Sequence, residues 1–120
     1  APGAFAMQLA AIFFALAALG GLTMAGMRAA GTPRPPTWLA LGHGAIAATG
    51  LVTLIYTAAT QSLPTVALLA LGCFVLAAIG GATIFLLFHL RGKPLPLPLV
   101  IGHGLIAVTA FVLLLFGIFQ

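Results

Sequence analysis

The sequence predicts an all-α integral membrane protein, a four-transmembrane-helix bundle built by tandem duplication of one helical hairpin. The chain has no Asp or Glu and only four Lys or Arg among its 120 residues. Hydrophobic residues make up 63% of it, and the mean hydropathy is +1.32. A soluble domain usually contains about a quarter charged residues, whereas 3% are charged here. The second half of the chain also repeats the pattern of the first.

The uncharged stretches are long enough for four spans, because ~20 apolar residues cross the hydrocarbon core as a helix. The predicted spans are residues 4–28, 37–60, 64–90 and 97–119. Gln61 and Ser62 divide the long middle stretch into spans two and three. The apolar runs lack the alternation of a membrane β-strand, so helices are expected. Residues 1–120 therefore form a single membrane domain.

The repeat is found by aligning residues 1–60 with residues 61–120 without gaps. A Gly-Gly pair recurs at 20–21 and 80–81, and a Gly-His-Gly triplet recurs at 42–44 and 102–104. Each repeat has two spans, so both copies enter the membrane in the same orientation, related by a two-fold axis along the membrane normal. Spans two and four are then diagonal and parallel, and their equivalent residues face each other across the axis.

All four cationic residues lie at two proline-rich loops on one side of this topology. They are Arg28, Arg34, Arg91 and Lys93. The positive-inside bias places both loops in the cytoplasm and both chain ends outside. The same cations are also suited to contact anionic lipid head groups.

His43 and His103 are the outstanding polar residues, because polar side chains inside a membrane are costly and usually functional. Each lies about six residues, or ~9 Å, into its span from the charged side. A neutral imidazole is a good axial ligand, and haem iron takes two such ligands from opposite faces. The two-fold symmetry therefore predicts one bis-histidine haem b between spans two and four, with His43 and His103 as the metal ligands.

Small residues near each histidine are expected to form a slot for the flat haem, since residues three, four and seven positions apart share a helix face. The predicted lining is Gly42, Gly44, Ala47 and Gly50 in the first repeat, and Gly102, Gly104, Ala107 and Ala110 in the second. Arg28, Arg34, Arg91 and Lys93 are expected to pair with the haem propionates.

In this arrangement the chain resembles the small bacterial membrane b-type cytochromes, four-helix bundles that hold haem between histidines on different helices. The resemblance covers the architecture and the two Gly-His-Gly sites. Many members bind two haems through four histidines, whereas this chain has three histidines, so one haem is expected. The resemblance implies electron transfer in a bacterial inner (plasma) membrane, with a quinone or a redox protein as the exchange partner. Activity beyond electron transfer stays open.

Two alternatives also remain open. The first is an accessory or structural subunit of a larger membrane complex or homo-oligomer, which predicts tightly packed helices without a cofactor-sized gap. Close contacts such as Ala17-x-x-x-Gly21 need no ligand in that case. The second is a pigment-binding protein in which each histidine ligates a separate chlorin magnesium. It predicts histidines that point apart or toward lipid.

The sequence also predicts roles for several other polar and sulfur-containing residues. His89 has Ala29 as its aligned partner and is expected at the interface, bonded to a propionate or a lipid head group. Met24 and Met27 offer a minor copper alternative through their thioethers. Cys73 is expected to be a small buried hydrophobe. Without carboxylates, a phosphate-binding loop or a catalytic triad, a self-contained hydrolase, a carboxylate-driven pump and nucleic-acid binding are not expected.

Overall fold

The computed structural model describes residues 3–120, which form four long helices and one short π-helical segment. The helices are α1 (Ala4–Ala29), α2 (Thr37–Thr60), α3 (Thr65–Ile84) and α4 (Leu97–Ile118), and the π-helical turn Phe85–His89 continues α3. All four are long and apolar enough to cross a membrane. The predicted fold class is thus confirmed, and the four spans begin within one residue of their predicted starts. The bundle measures 45 × 19 × 19 Å.

Proline and glycine set the ends of the helices. Pro36, Pro64 and Pro96 precede α2, α3 and α4 in an extended conformation, which their fixed φ favours. Gly31 and Gly92 follow the first helix of each hairpin and have positive φ values of 109° and 69°. Glycine adopts this conformation without steric cost and reverses the chain after a helix.

The helices pair first within each repeat. Contacts are closest between α1 and α2 and between α3 and α4, and the two hairpins then join through α1 with α4 and α2 with α3. This order makes α1 diagonal to α3 and α2 diagonal to α4, as the repeat predicts. Of the four neighbouring pairs, α2 with α3 makes the fewest contacts.

Two equivalent phenylalanines fill the middle of the bundle. The rings of Phe14 and Phe74 stack with their centroids 3.6 Å apart and their planes at 5°. Both side chains are buried, and the fully buried side chains of Met7, Leu54 and Leu114 belong to the same core. The ring pair therefore joins the diagonal helices α1 and α3 across the pseudo-two-fold axis.

The π-helical turn breaks the exact repeat at the end of α3. The bond that ends α1 joins Thr32 N–H to the Met27 carbonyl, and the bond that ends this turn joins Lys93 N–H to the Phe88 carbonyl, each over 2.9 Å. These partners are related by 61 positions rather than 60, because the wider turn absorbs one residue. His89 consequently takes the structural place of Arg28, which a gapless alignment does not show.

Large apolar side chains cover the outside of the bundle, as expected where lipid is the solvent. Trp38 is 73% exposed in the first turn of α2, and Tyr56 is 69% exposed near the opposite end. Both positions suit interfacial aromatics. Cys73 is a free thiol and only half-buried, so it is more accessible than expected.

Candidate functional site

The structure brings His43 and His103 together inside the bundle. Their ring centroids are 6.3 Å apart and their planes meet at 83°. The two residues lie on the diagonal helices α2 and α4, so the rings approach each other across the pseudo-two-fold axis. The predicted pairing of the two copies is therefore present.

Each imidazole is anchored to its own hairpin by one hydrogen bond. Nδ1 of His43 donates to the Ala17 carbonyl over 2.7 Å, and Nδ1 of His103 donates to the Ala77 carbonyl over 2.8 Å. A carbonyl oxygen only accepts, so the neutral ring holds its proton on Nδ1 and a lone pair on Nε2. This bond fixes both the tautomer and the orientation of the ring, as outer partners do for metal-bound histidines.

The Gly-Gly pairs provide the surface on which the rings lie. A Cβ added at Gly21 would be 3.1 Å from Cε1 of His43, and one added at Gly81 would be 3.0 Å from Cε1 of His103. Any side chain at these positions would push the ring away. Sequence reasoning used the glycine pairs to define the repeat and as close helix contacts, although their recurrence together with the histidines was the signal for this contact.

The Nε2 atoms have no hydrogen-bond partner among residues 3–120 and are not sealed inside the protein. Both rings make the same contacts with their own hairpins, so the two sites are equivalent. Two imidazoles that bind one metal ion from opposite sides would have ring centroids ~6.2 Å apart, given a metal–nitrogen bond of ~2.0 Å and ~1.1 Å from nitrogen to ring centre. The observed centroid distance of 6.3 Å is compatible with that arrangement.

The small residues predicted to form a slot do not meet at the histidine pair. A Cβ added at Gly42, Gly44, Gly102 or Gly104 would meet no atom within 4 Å, so these glycines border open space. A Cβ on Gly50 would lie 3.2 Å from Phe13 and from the Phe14 ring, and Ala110 is fully buried. Gly50 and Ala110 therefore serve close helix packing, while Ala47 and Ala107 are half-buried.

The four cations divide into two kinds. Arg28 Nε donates to the Leu95 carbonyl over 2.7 Å, and Arg34 Nη1 donates to the His89 carbonyl over 3.0 Å. Leu95 N–H also bonds the Pro33 carbonyl over 3.0 Å, so the two loops are linked across the charged end of the bundle. Arg91 and Lys93 are exposed. Each arginine uses part of its five donors, and the chain has no carboxylate to take the rest.

His89 lies at the charged end of the bundle, and its side chain is buried within the protein. It is 3% exposed, its ring stacks on Phe85 with centroids 5.2 Å apart, and Nε2 lies 3.0 Å from the Thr37 hydroxyl oxygen. Its Nδ1 is buried without a partner. The π-helical turn accounts for this burial, because it directs this position toward the loop that precedes α2.

The number of metal-ligating side chains at the site limits what the histidine pair can bind. Within residues 3–120 no group of three or more His, Cys, Asp or Glu could hold a metal ion. Two imidazoles alone leave most metal ions short of ligands, whereas haem iron brings four nitrogens and needs two axial ligands. His43 and His103 are thus the residues that could hold a metal centre that brings its own further ligands.

Comparisons of the chain with protein-family models, with curated proteins and with solved structures each return no match. Fold and site geometry thus define the class: a four-helix, membrane-type bundle with two inward-facing imidazoles.

Proposed function

We propose that the protein is a membrane-embedded haem-b protein that transfers electrons through one haem held by His43 and His103. The observation that supports this most directly is the spacing of the two rings, 6.3 Å, with both Nδ1 atoms bonded to carbonyls and both Nε2 lone pairs free. In this tautomer His43 and His103 would hold the iron of one haem through Nε2, and the spacing of the rings is compatible with that role. When bound, the haem supplies one-electron redox chemistry.

The surroundings of the pair favour a group that lies between the two hairpins. One ligand belongs to each hairpin, and the hairpins pack less closely on each other than internally. The histidines lie at the level of Gly21, which is roughly 10 Å along α1 from both Phe14 and Arg28. Since α2 and α3 make the fewest contacts of the neighbouring helices, the seam between them is where a porphyrin would enter.

The protein's own residues then have distinct tasks. The carbonyls of Ala17 and Ala77 keep Nε2 available as a ligand, and the glycine pairs hold the rings in place. The Phe14–Phe74 stack closes the site on the side of the chain ends. Arg28, which is half-buried at the charged end, is the cation best placed to balance a propionate. The charged loops face the cytoplasm and the ends face outside, in a bacterial plasma membrane, with a quinone or redox protein exchanging electrons.

The alternatives predict different geometry. Two chlorins on separate magnesium ions do not fit between imidazoles 6.3 Å apart. An accessory subunit would need no free Nε2 atoms, although the close packing at Gly50 suits it. A haem titration distinguishes the accessory-subunit hypothesis from the haem-protein proposal.

The test is titration of haem into detergent-purified protein, followed by the visible spectrum. We expect saturation at one haem per chain with a six-coordinate, low-spin spectrum. His43→Ala and His103→Ala should each lose that spectrum, while the matched control His89→Ala should keep it. Equal uptake by all four proteins, or no specific uptake by any, would contradict the proposal.

A further inference from the structure

A second polar site lies at the charged end of the bundle, away from the histidine pair. Pro33, Arg34, Pro35, Pro36, Thr37 and His89 line an open pocket of ≈ 260 Å³. We propose that this pocket binds the phosphate group of a membrane lipid, with Arg34, Thr37 and His89 as its contacts. The inference does not depend on haem binding.

The first argument is a buried ring nitrogen without a partner. His89 is 3% exposed and its Nδ1 has no hydrogen-bond partner in the described part of the chain, a costly state for a buried polar atom. With the proton of the imidazole on Nδ1, Nε2 accepts from the Thr37 hydroxyl over 3.0 Å. A phosphate oxygen supplies the missing acceptor.

The second argument is charge. Arg34 donates one N–H to the His89 carbonyl, which leaves other guanidinium donors without acceptors. The chain has no Asp or Glu, so every counter-charge must come from outside it. The N-terminus of the 24-residue helix α2 adds partial positive charge and has no side-chain cap.

The third argument is the comparison with the other repeat. At the equivalent corner, Arg28 occupies the structural place of His89, and its Nε is satisfied by the Leu95 carbonyl. The gapless alignment pairs Arg34 with Pro94 and Thr37 with Leu97, and the 61-residue offset at the end of α3 pairs Arg34 with Leu95, so neither position has a polar counterpart. The polar groups of the pocket therefore depart from the repeat together, at one place, which duplication alone does not produce.

The position of the pocket at the level of lipid head groups indicates that the phosphate belongs to a lipid. Trp38 follows Thr37 directly and is 73% exposed, as an aromatic residue at the level of lipid head groups would be. Arg34 and Thr37 are also exposed, so a head group can enter from the membrane surface. The absence of any carboxylate at the pocket favours lipids with a net negative charge.

The test is native mass spectrometry of the full chain in non-ionic detergent, titrated with short-chain phosphatidylglycerol, phosphatidylcholine or inorganic phosphate. We expect one phosphatidylglycerol to bind about tenfold more tightly than phosphatidylcholine. Arg34→Gln and His89→Phe, the latter keeping a ring on Phe85, should each weaken it about tenfold. Thr37→Val, a milder change that leaves the arginine in place, should weaken it severalfold.

Lys93→Gln is the matched control, because it removes the same charge from an exposed position on the other loop. It should change the affinity less than twofold. If Lys93→Gln weakens binding as much as Arg34→Gln, or if His89→Phe and Thr37→Val bind as the unaltered protein does, the pocket is not the site. Equal competition by inorganic phosphate would assign the same oxyanion site to free phosphate and overturn the lipid assignment.

Discussion

Nδ1 of His43 donates to the carbonyl oxygen of Ala17 over 2.7 Å, and the same bond recurs sixty residues later between His103 and Ala77. The bond joins the second helix of each hairpin to the first, so each imidazole is held within its own hairpin. A pair of such hairpins places two equivalent imidazoles on opposite sides of the pseudo-two-fold axis.

The glycine contact predicts opposite effects of the same substitution at two positions on α1. Gly21→Ala should destabilise the protein by about 1–3 kcal/mol, because the new Cβ lies 3.1 Å from a ring that its bond to Ala17 prevents from moving. Gly26→Ala should be neutral or stabilise by up to about 1 kcal/mol, since nothing lies within 4 Å of that Cβ. Thermal unfolding in detergent measures both. Equal effects at the two positions would mean that the ring does not rest on Gly21.

The phenylalanine stack predicts that substituting either ring causes a large loss of stability, of similar size for both. Phe14→Ala and Phe74→Ala should each cost on the order of 3 kcal/mol, because each removes a buried ring from the centre of the bundle. The double variant should cost less than the sum, since the stacked pair contributes only once. Phe116→Ala is the control, because that ring is 63% exposed. Additive losses would argue against direct stacking.

The link between the charged loops predicts a specific role for Arg28. Arg28→Met keeps most of the side-chain volume but removes the bond to Leu95, so it should destabilise by about 1–2 kcal/mol. Arg91→Met removes the same charge from an exposed side chain and should leave stability nearly unchanged. The two variants should be compared by thermal unfolding at matched ionic strength. A similar loss in both would attribute the effect to net charge.

The positive-inside bias predicts the orientation of the chain. A periplasm-active reporter fused after Gln120 should be active, and one inserted in the 91–96 loop should be inactive. Replacing Arg34 and Lys93 with Gln should weaken this asymmetry. The reverse activity pattern would place the charged loops outside.

The sequence was sufficient for the fold because its signals were simple. Charge-free stretches fixed the four spans, and the sixty-residue repeat predicted that α2 and α4 lie on a diagonal. The meeting of His43 and His103 followed from the same symmetry. These inferences needed only periodicity and topology.

The details that sequence reasoning missed depend on side-chain packing or on a local break in the repeat. The only sequence feature that indicated the Phe14–Phe74 stack was the presence of two aromatic residues at equivalent positions of the repeat. The inward turn of His89 could not be foreseen, because a gapless alignment hides the residue that the π-helical turn absorbs. The predicted slot lining at Gly50 was assigned by helical spacing alone, which does not tell whether a face meets a cofactor or another helix.

The central claim is tested most directly by the reduced-minus-oxidised visible spectrum of protein purified from haem-replete cells. We predict the split bands of a six-coordinate b-type haem at one haem per chain, lost in both His43→Ala and His103→Ala and retained in His89→Ala. A colourless protein, or a haem spectrum that survives either ligand substitution, would contradict the account.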